Sequence, residues 1–187
     1  MTNWLSRHRI TVDEYYRLAE VGMLDPDARV ELIEGEVIDM APIGMSHNGM
    51  VDRLDRMFQR IAGHRAWVRC QGALRLSGVS EVVPDITLLR YRDDEYMKHH
   101  ATARDALLVI EVSDTTLRDD LYVKVPLYAR HGIPEVWIVD VENMEVQFHR
   151  SLVAGAYSAV SLTSKPGITE ISSLPGFTVD LSKLLRT

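Results

Sequence analysis

Apolar positions along the chain follow two rhythms. Met50, Val51, Leu54, Met57, Phe58 and Ile61 recur at the three-and-four spacing of one buried helix face, with Ser46 placed to cap that helix. Arg53, Arg56 and Arg60 then point away from the core. Runs of strand length begin at Trp67 (WVRCQGALRL), Val82 (VVPDITLLRY), Leu107 (LLVIEV) and Val136 (VWIVDV). Thr11-Val-Asp-Glu14 fits a capping box, so a short helix is expected from Val12 to about Glu20. VELIEGEVIDMA, residues 30–41, reads as a hairpin around Glu34-Gly35.

Asp119 or Asp120 can open a second core helix reaching about Arg130, which Gly132 ends. EVQFHR and AYSAVSL look like an antiparallel extension. The central order is thus helix, three strands, helix, strand. An α/β fold follows, with a mixed sheet flanked by helices, an N-terminal hairpin and C-terminal antiparallel strands. We expect one domain over 1–187 with its core at about 46–142.

Composition narrows the class. A single cysteine, Cys70, rules out an internal disulfide and any multi-cysteine zinc site, and it favours a reducing compartment. In mid-strand it reads as buried rather than nucleophilic, and Trp67 and Trp137 read as core or interface. No apolar run approaches about 20 residues, so no membrane span is expected and the cytoplasm is the expected location.

A net charge of −6 argues against strong non-specific binding of nucleic acid. It hides an asymmetry, however: residues 41–92 carry eight arginines against four acids, net +4, leaving −10 elsewhere. A basic face within an acidic protein and a solvated arginine-rich helix face both fit. The chain has no Gly-x-Ser-x-Gly elbow, phosphate-binding Gly-Lys-Ser/Thr loop or His-Glu-x-x-His motif.

Two carboxylates stand out. In the strand from Leu107, Val109, Glu111 and Ser113 share one face while Ile110 and Val112 share the other. An acid in such a strand costs several kcal/mol unless it is paired, protonated or near solvent. One strand earlier, Pro84-Asp85 places a second acid at the start of an apolar run. Acids on adjacent strands can converge on a hard cation such as Mg²⁺, which prefers a few carboxylates and several waters. Plainer readings exist too: Asp85 in a turn, Glu111 in an ion pair with an arginine.

Pro84-Asp85 and Glu111-Val-Ser113, in that element order, resemble the PD-(D/E)XK nuclease superfamily. LLVIEVSDTT with the later Asp120 and Lys124, LYARHGIPEVWIVD, and the lead-in VELIEGEVIDMAPIGMSH resemble more narrowly a family of restriction-endonuclease-like proteins, over roughly residues 11–142. The resemblance implies Asp85, Glu111 and the Val112 carbonyl as ligands of Mg²⁺ or Mn²⁺. It also implies DNA phosphodiester hydrolysis.

Ser113 stands where the superfamily has its lysine, and Lys124 from the next helix matches the family's substitute. There it would orient the attacking water or stabilise the transition state. A surface lysine paired with Asp120 at i,i+4 is the plainer alternative. Pro126, two residues on, implies either a late helix start or a kink. Gln71, His47 and Glu31 match supporting positions, although His47 also suits a helix start, Glu31 an arginine partner, and Tyr128 the core. Cutting both strands of a duplex would favour a two-fold dimer. Other readings are a non-catalytic nucleic-acid-binding or oligomeric module on the same fold, and a hydrolase of RNA or small phosphate esters.

Overall fold

The computed structural model describes residues 7–185 apart from Pro26; the remainder of the expected 1–187 domain lies outside the described residues. Helix α1, Val12–Glu20, opens on the expected capping box, with Thr11 and Glu14 each accepting from the other's backbone N–H. The hairpin β1 (Val30–Ile33) and β2 (Glu36–Asp39) follows. Its turn places Glu34 and Gly35 at positive φ. A Cβ on Gly35 would lie 2.5 Å from Arg9 Cβ, so only glycine lets the N-terminal arm cross the turn this closely.

Helix α2 spans Met45–Ala62 with Gly44, not Ser46, at its N-cap. Its buried stripe is Met50, Val51, Leu54, Phe58 and Ala62. Ala62, four residues after Phe58, takes the place expected for Ile61, which is exposed.

The two long runs expected as single strands each divide. Trp67 to Leu76 becomes β3 (Ala66–Cys70) and β4 (Leu74–Ser77), parted at Gln71, whose φ is 46°. The Val82 run becomes β5 (Ser80–Val82) and β6 (Ile86–Arg90), parted at Pro84, which has no N–H for a ladder. Each break moves the chain to another sheet. Cys70, expected to be buried, is exposed at the first break.

Strand β7, Ala106–Ser113, is buried throughout. It crosses over through one continuous helical segment: α3 (Leu117–Asp119), a π-helical turn (Asp120–Lys124) and α4 (Val125–Arg130). The crossover helix therefore begins before Asp119, and Pro126 sits in the first turn of α4 without breaking it. Strands β8 (Val136–Asp140), β9 (Glu145–Val153), β10 (Ala156–Thr163), β11 (Ile168–Glu170) and β12 (Thr178–Asp180) complete the chain.

Six strands in the order β10-β9-β8-β7-β6-β3 form the central sheet, in which β7 and β8 run parallel and the other neighbours antiparallel. A second sheet, β2-β1-β5-β4, lies beside it. Leu108, Ile110 and Val112 of β7 pack with α2, whereas Val109 joins Val125, Leu127 and Tyr128 of the crossover helix. That alternation sends Glu111 and Ser113 toward the crossover helix.

Candidate metal and phosphodiester site

Asp85 follows Pro84 in the gap between β5 and β6. Its Oδ2 accepts from Val112 N–H at 2.9 Å, tying it to the residue after Glu111. Gln71, just beyond β3 rather than on a strand, donates its side chain to Asp85 Oδ1 at 3.1 Å and its backbone N–H to the Asp85 carbonyl at 2.9 Å. His47 Nε2, from the first turn of α2, lies 3.2 Å from Asp85 Oδ2. That hydrogen bond raises the imidazole pKa, against the effect of burial.

Glu111 is 2% exposed. Its Oε1 accepts from the Tyr128 hydroxyl and lies 3.4 Å from Lys124 Nζ. The ammonium is also 3.2 Å from Glu31 Oε1, which in turn accepts Val83 N–H at 2.8 Å. Lys124 is therefore not a surface residue, and its close contacts are Glu31 and Glu111, with Asp120 acting on it at longer range. Glu31, which an arginine could have claimed, holds this lysine instead.

Burial pushes Glu111 up to about 8, with Lys124 pulling it down and Asp120, Asp85 and Glu31 adding to the rise. Burial alone would lower Lys124, but Glu111, Glu31 and Asp120 outweigh it and hold the ammonium above the ordinary lysine value.

The π-helical turn accounts for the aim of Lys124. In a regular α-helix, residues four apart drift about 40° around the axis. A wider turn between Asp120 and Lys124 reduces that drift, so Asp120, Lys124 and Tyr128 form one row over β7. Ser113 and Thr116 hydroxyls each donate to Asp120 Oδ2 at 2.7 Å. Burial raises the Asp120 pKa, while Lys124 and these two hydroxyls oppose the rise.

These groups share one cavity of about 1280 Å³, whose lining includes Glu31, His47, Asp85, Glu111, Asp120 and Lys124. Val112 also lines it. Ser113 and Gln71 do not; they hold Asp120 and Asp85 from behind. Asp120 and Tyr128 are the residues that sequence reasoning missed for this site. The signal for them was a polar row at 120, 124 and 128 on a helix face otherwise built to pack.

The donor chemistry fits a hard divalent cation, since Asp85 and Glu111 offer carboxylate oxygens to an acid-rich cavity. Among the described residues no group of three or more His, Cys, Asp or Glu side chains is arranged to hold a metal. A cation here would rest on two carboxylates, the Val112 carbonyl and water, a sphere of the kind Mg²⁺ takes.

Two arginines of the basic segment are neutralised by acids, and others are held by carbonyls that leave their charge in place. Arg65 caps the carbonyls of Pro175 and Gly176, Arg69 that of Ala73, and Arg90 that of Arg104; Arg75 and Arg92 pair with Glu81 and Asp94. Although Cys70 is exposed, desolvation by its surroundings, with Asp55, Asp85 and Asp52 nearby, pushes its thiol up to about 11, which makes it a poor nucleophile. No helix among the described residues is long and apolar enough to cross a membrane.

The family model described as "Uma2: Putative restriction endonuclease" matches residues 12–182. Among solved structures, the chain is similar to "a putative nuclease belonging to DUF820 from Anabaena variabilis ATCC 29413", with a TM-score of 0.72 and 16% identity over 94% of this chain and 97% of that one. At that identity the likeness speaks for the restriction-endonuclease-like fold. No curated protein matches the chain at a significant level.

Proposed function

Because the chain belongs to the Uma2 family of restriction-endonuclease-like proteins, we propose that it is a metal-dependent endonuclease hydrolysing phosphodiester bonds in DNA. The observation that carries this reading is the convergence of Asp85, Glu111 and Lys124 on one cavity, with Lys124 Nζ 3.4 Å from Glu111. Asp85, Glu111 and the Val112 carbonyl would hold Mg²⁺ or Mn²⁺. When bound, the ion supplies Lewis-acid charge beside the scissile phosphate.

The remaining steps fall to the chain's own residues. Gln71 and His47 fix the Asp85 carboxylate, as partners behind a ligand do. Lys124 keeps its proton and presents a cation to the attacking water or to the charge developing on the phosphate. The water oxygen bonds to phosphorus as one ester P–O bond breaks, and the proton the water gives up balances the one the leaving oxygen takes from solvent, leaving a phosphate monoester and a hydroxyl. A two-fold dimer would address both strands of a duplex.

Purified protein with Mg²⁺ or Mn²⁺ should nick or linearise supercoiled plasmid, and Asp85→Asn or Glu111→Gln should abolish cutting. Equal cleavage by those variants would assign the activity to a contaminant or to another site. The acidic net charge and the displacement of the lysine from position 113 to 124 favour one alternative, a non-catalytic nucleic-acid-binding module. DNA binding with no cleavage and no Mn²⁺ uptake would identify it.

A further inference from the structure

We propose that Tyr128 is a positioning residue for Glu111, its hydroxyl deciding which carboxylate oxygen is tied to the protein and which is offered to the cavity. This rests on the reading of Asp85 and Glu111 as cation ligands.

Tyr128 is fully buried, in the core cluster with Val109, Leu127 and Ile138. A tyrosine in such surroundings needs a partner for its hydroxyl. Elsewhere in this fold that need is met by the backbone or, for the partly exposed Tyr16, by Glu81, which does not line the cavity. Tyr96 donates to the Arg90 carbonyl at 2.7 Å and Tyr157 to the Ile133 carbonyl at 2.7 Å. Tyr128 instead donates to a buried carboxylate facing the cavity.

Among the described residues, the Tyr128 hydroxyl donates to Glu111 Oε1 and the Lys124 ammonium forms its ion pair with the same oxygen. Oε2 is consequently the oxygen left for a ligand. Tyr128 and Lys124 also ride on the same helical segment, four residues apart. The hydroxyl that aims Glu111 and the ammonium beside it are therefore set by one rigid element, an arrangement that fixes the ligand and the cation relative to each other. A carboxylate without the Tyr128 donor could turn either oxygen inward, and its affinity for a cation would fall with that freedom.

The test uses the full chain with Tyr128→Phe, which keeps the ring and removes the hydroxyl. Tyr157→Phe serves as control, because it deletes the same atom at a site away from the cavity. Mn²⁺ affinity is read by calorimetry and stability by urea unfolding. Tyr128→Phe should weaken Mn²⁺ binding by roughly 10–100-fold, while Tyr157→Phe stays within about twofold of wild type. A folded Tyr128→Phe chain that binds Mn²⁺ like wild type would overturn the positioning role, leaving the hydroxyl as mere satisfaction of the core.

Should Tyr128→Phe fail to fold, 3-fluorotyrosine incorporated into the wild-type chain replaces it. One buried-tyrosine ¹⁹F resonance should then shift with Mg²⁺ at the concentration that saturates binding, and Asp85→Asn should remove that shift. Buried-tyrosine resonances unmoved by Mg²⁺ would refute the proposal. If wild type takes up no Mn²⁺, or Asp85→Asn binds it unchanged, the cation reading itself fails, a result distinct from loss of the Tyr128 role alone.

Discussion

Replacing Lys124 by methionine removes a charge while keeping most of the side-chain volume, and the structure sets the size of the response. The ammonium lies 3.2 Å from Glu31 and 3.4 Å from Glu111, both nearly enclosed. Unit charges 4 Å apart attract by about 4 kcal/mol at an effective dielectric constant near 20, so the two contacts together amount to about 8 kcal/mol before desolvation is subtracted. Most of that is offset in the intact site. Without the cation, Glu31 stays buried with no counter-charge and Glu111 is driven further toward its protonated form, a loss of about 3–5 kcal/mol. For a chain of this length the melting temperature should fall by about 6–20 °C.

The pH dependence has a definite sign. Glu111 titrates near 8 in the fold, above its ordinary value, because burial dominates. A raised carboxyl means that stability is greatest below the unfolded pKa and is lost as pH rises through the folded one. Lys124 pulls Glu111 down, so its removal lifts that pKa further and makes the gap from wild type widen as pH rises. Thermal melts of both chains at several pH values in metal-free buffer would measure this. An exposed lysine paired only with Asp120 would change stability by at most about 0.5 kcal/mol. A melting shift within about 2 °C at every pH would refute the buried-bridge reasoning.

Gly35→Ala should destabilise by about 1–3 kcal/mol, since it combines a φ of +82° with a Cβ 2.5 Å from Arg9 Cβ; urea unfolding checks this, and a loss under about 0.5 kcal/mol would contradict the close crossing. His149 is buried, with an imidazole pKa lowered by burial and a buried Nε2 that has no hydrogen-bond partner among the described residues. A depressed histidine contributes stability above its unfolded pKa, about 6.5, which is lost as pH falls. His149→Leu should therefore flatten the acid limb below about pH 6.5 in equilibrium unfolding, whereas His47, raised by Asp85, works in the opposite direction.

Patterns that depend on neighbours in sequence were legible before any coordinates: the Thr11–Glu14 box, the hairpin, the face of α2, and the alternation along β7 that turns Glu111 toward the crossover helix. The illegible parts depend on distant partners. Gln71 looks like an interior position of an apolar run, and its positive φ and its N–H bond to the Asp85 carbonyl, which joins the two points where the chain changes sheet, depend on a residue 14 positions away. Asp120 looked like a helix opener because acids favour that place. It lies inside the helix instead, its charge satisfied by Ser113 and Thr116. Pro126 pointed to a kink or a late start, and the π-helical turn just before it let the helix continue.

Glu31 and Lys124 are separated by 93 residues, whereas Asp85 and Val112 are separated by 27. Closing the longer loop costs more chain entropy, which places the union of the two sheets late in folding. A nascent chain with only the central sheet formed would bring Asp85 to Glu111 while Lys124 lacked its second anchor. In kinetic terms, the expectation is that the segment completing the lysine's setting arrives last. Pulse-labelled amide exchange should then show Val112 N–H protected before Val83 N–H, with the reverse order placing the small sheet first.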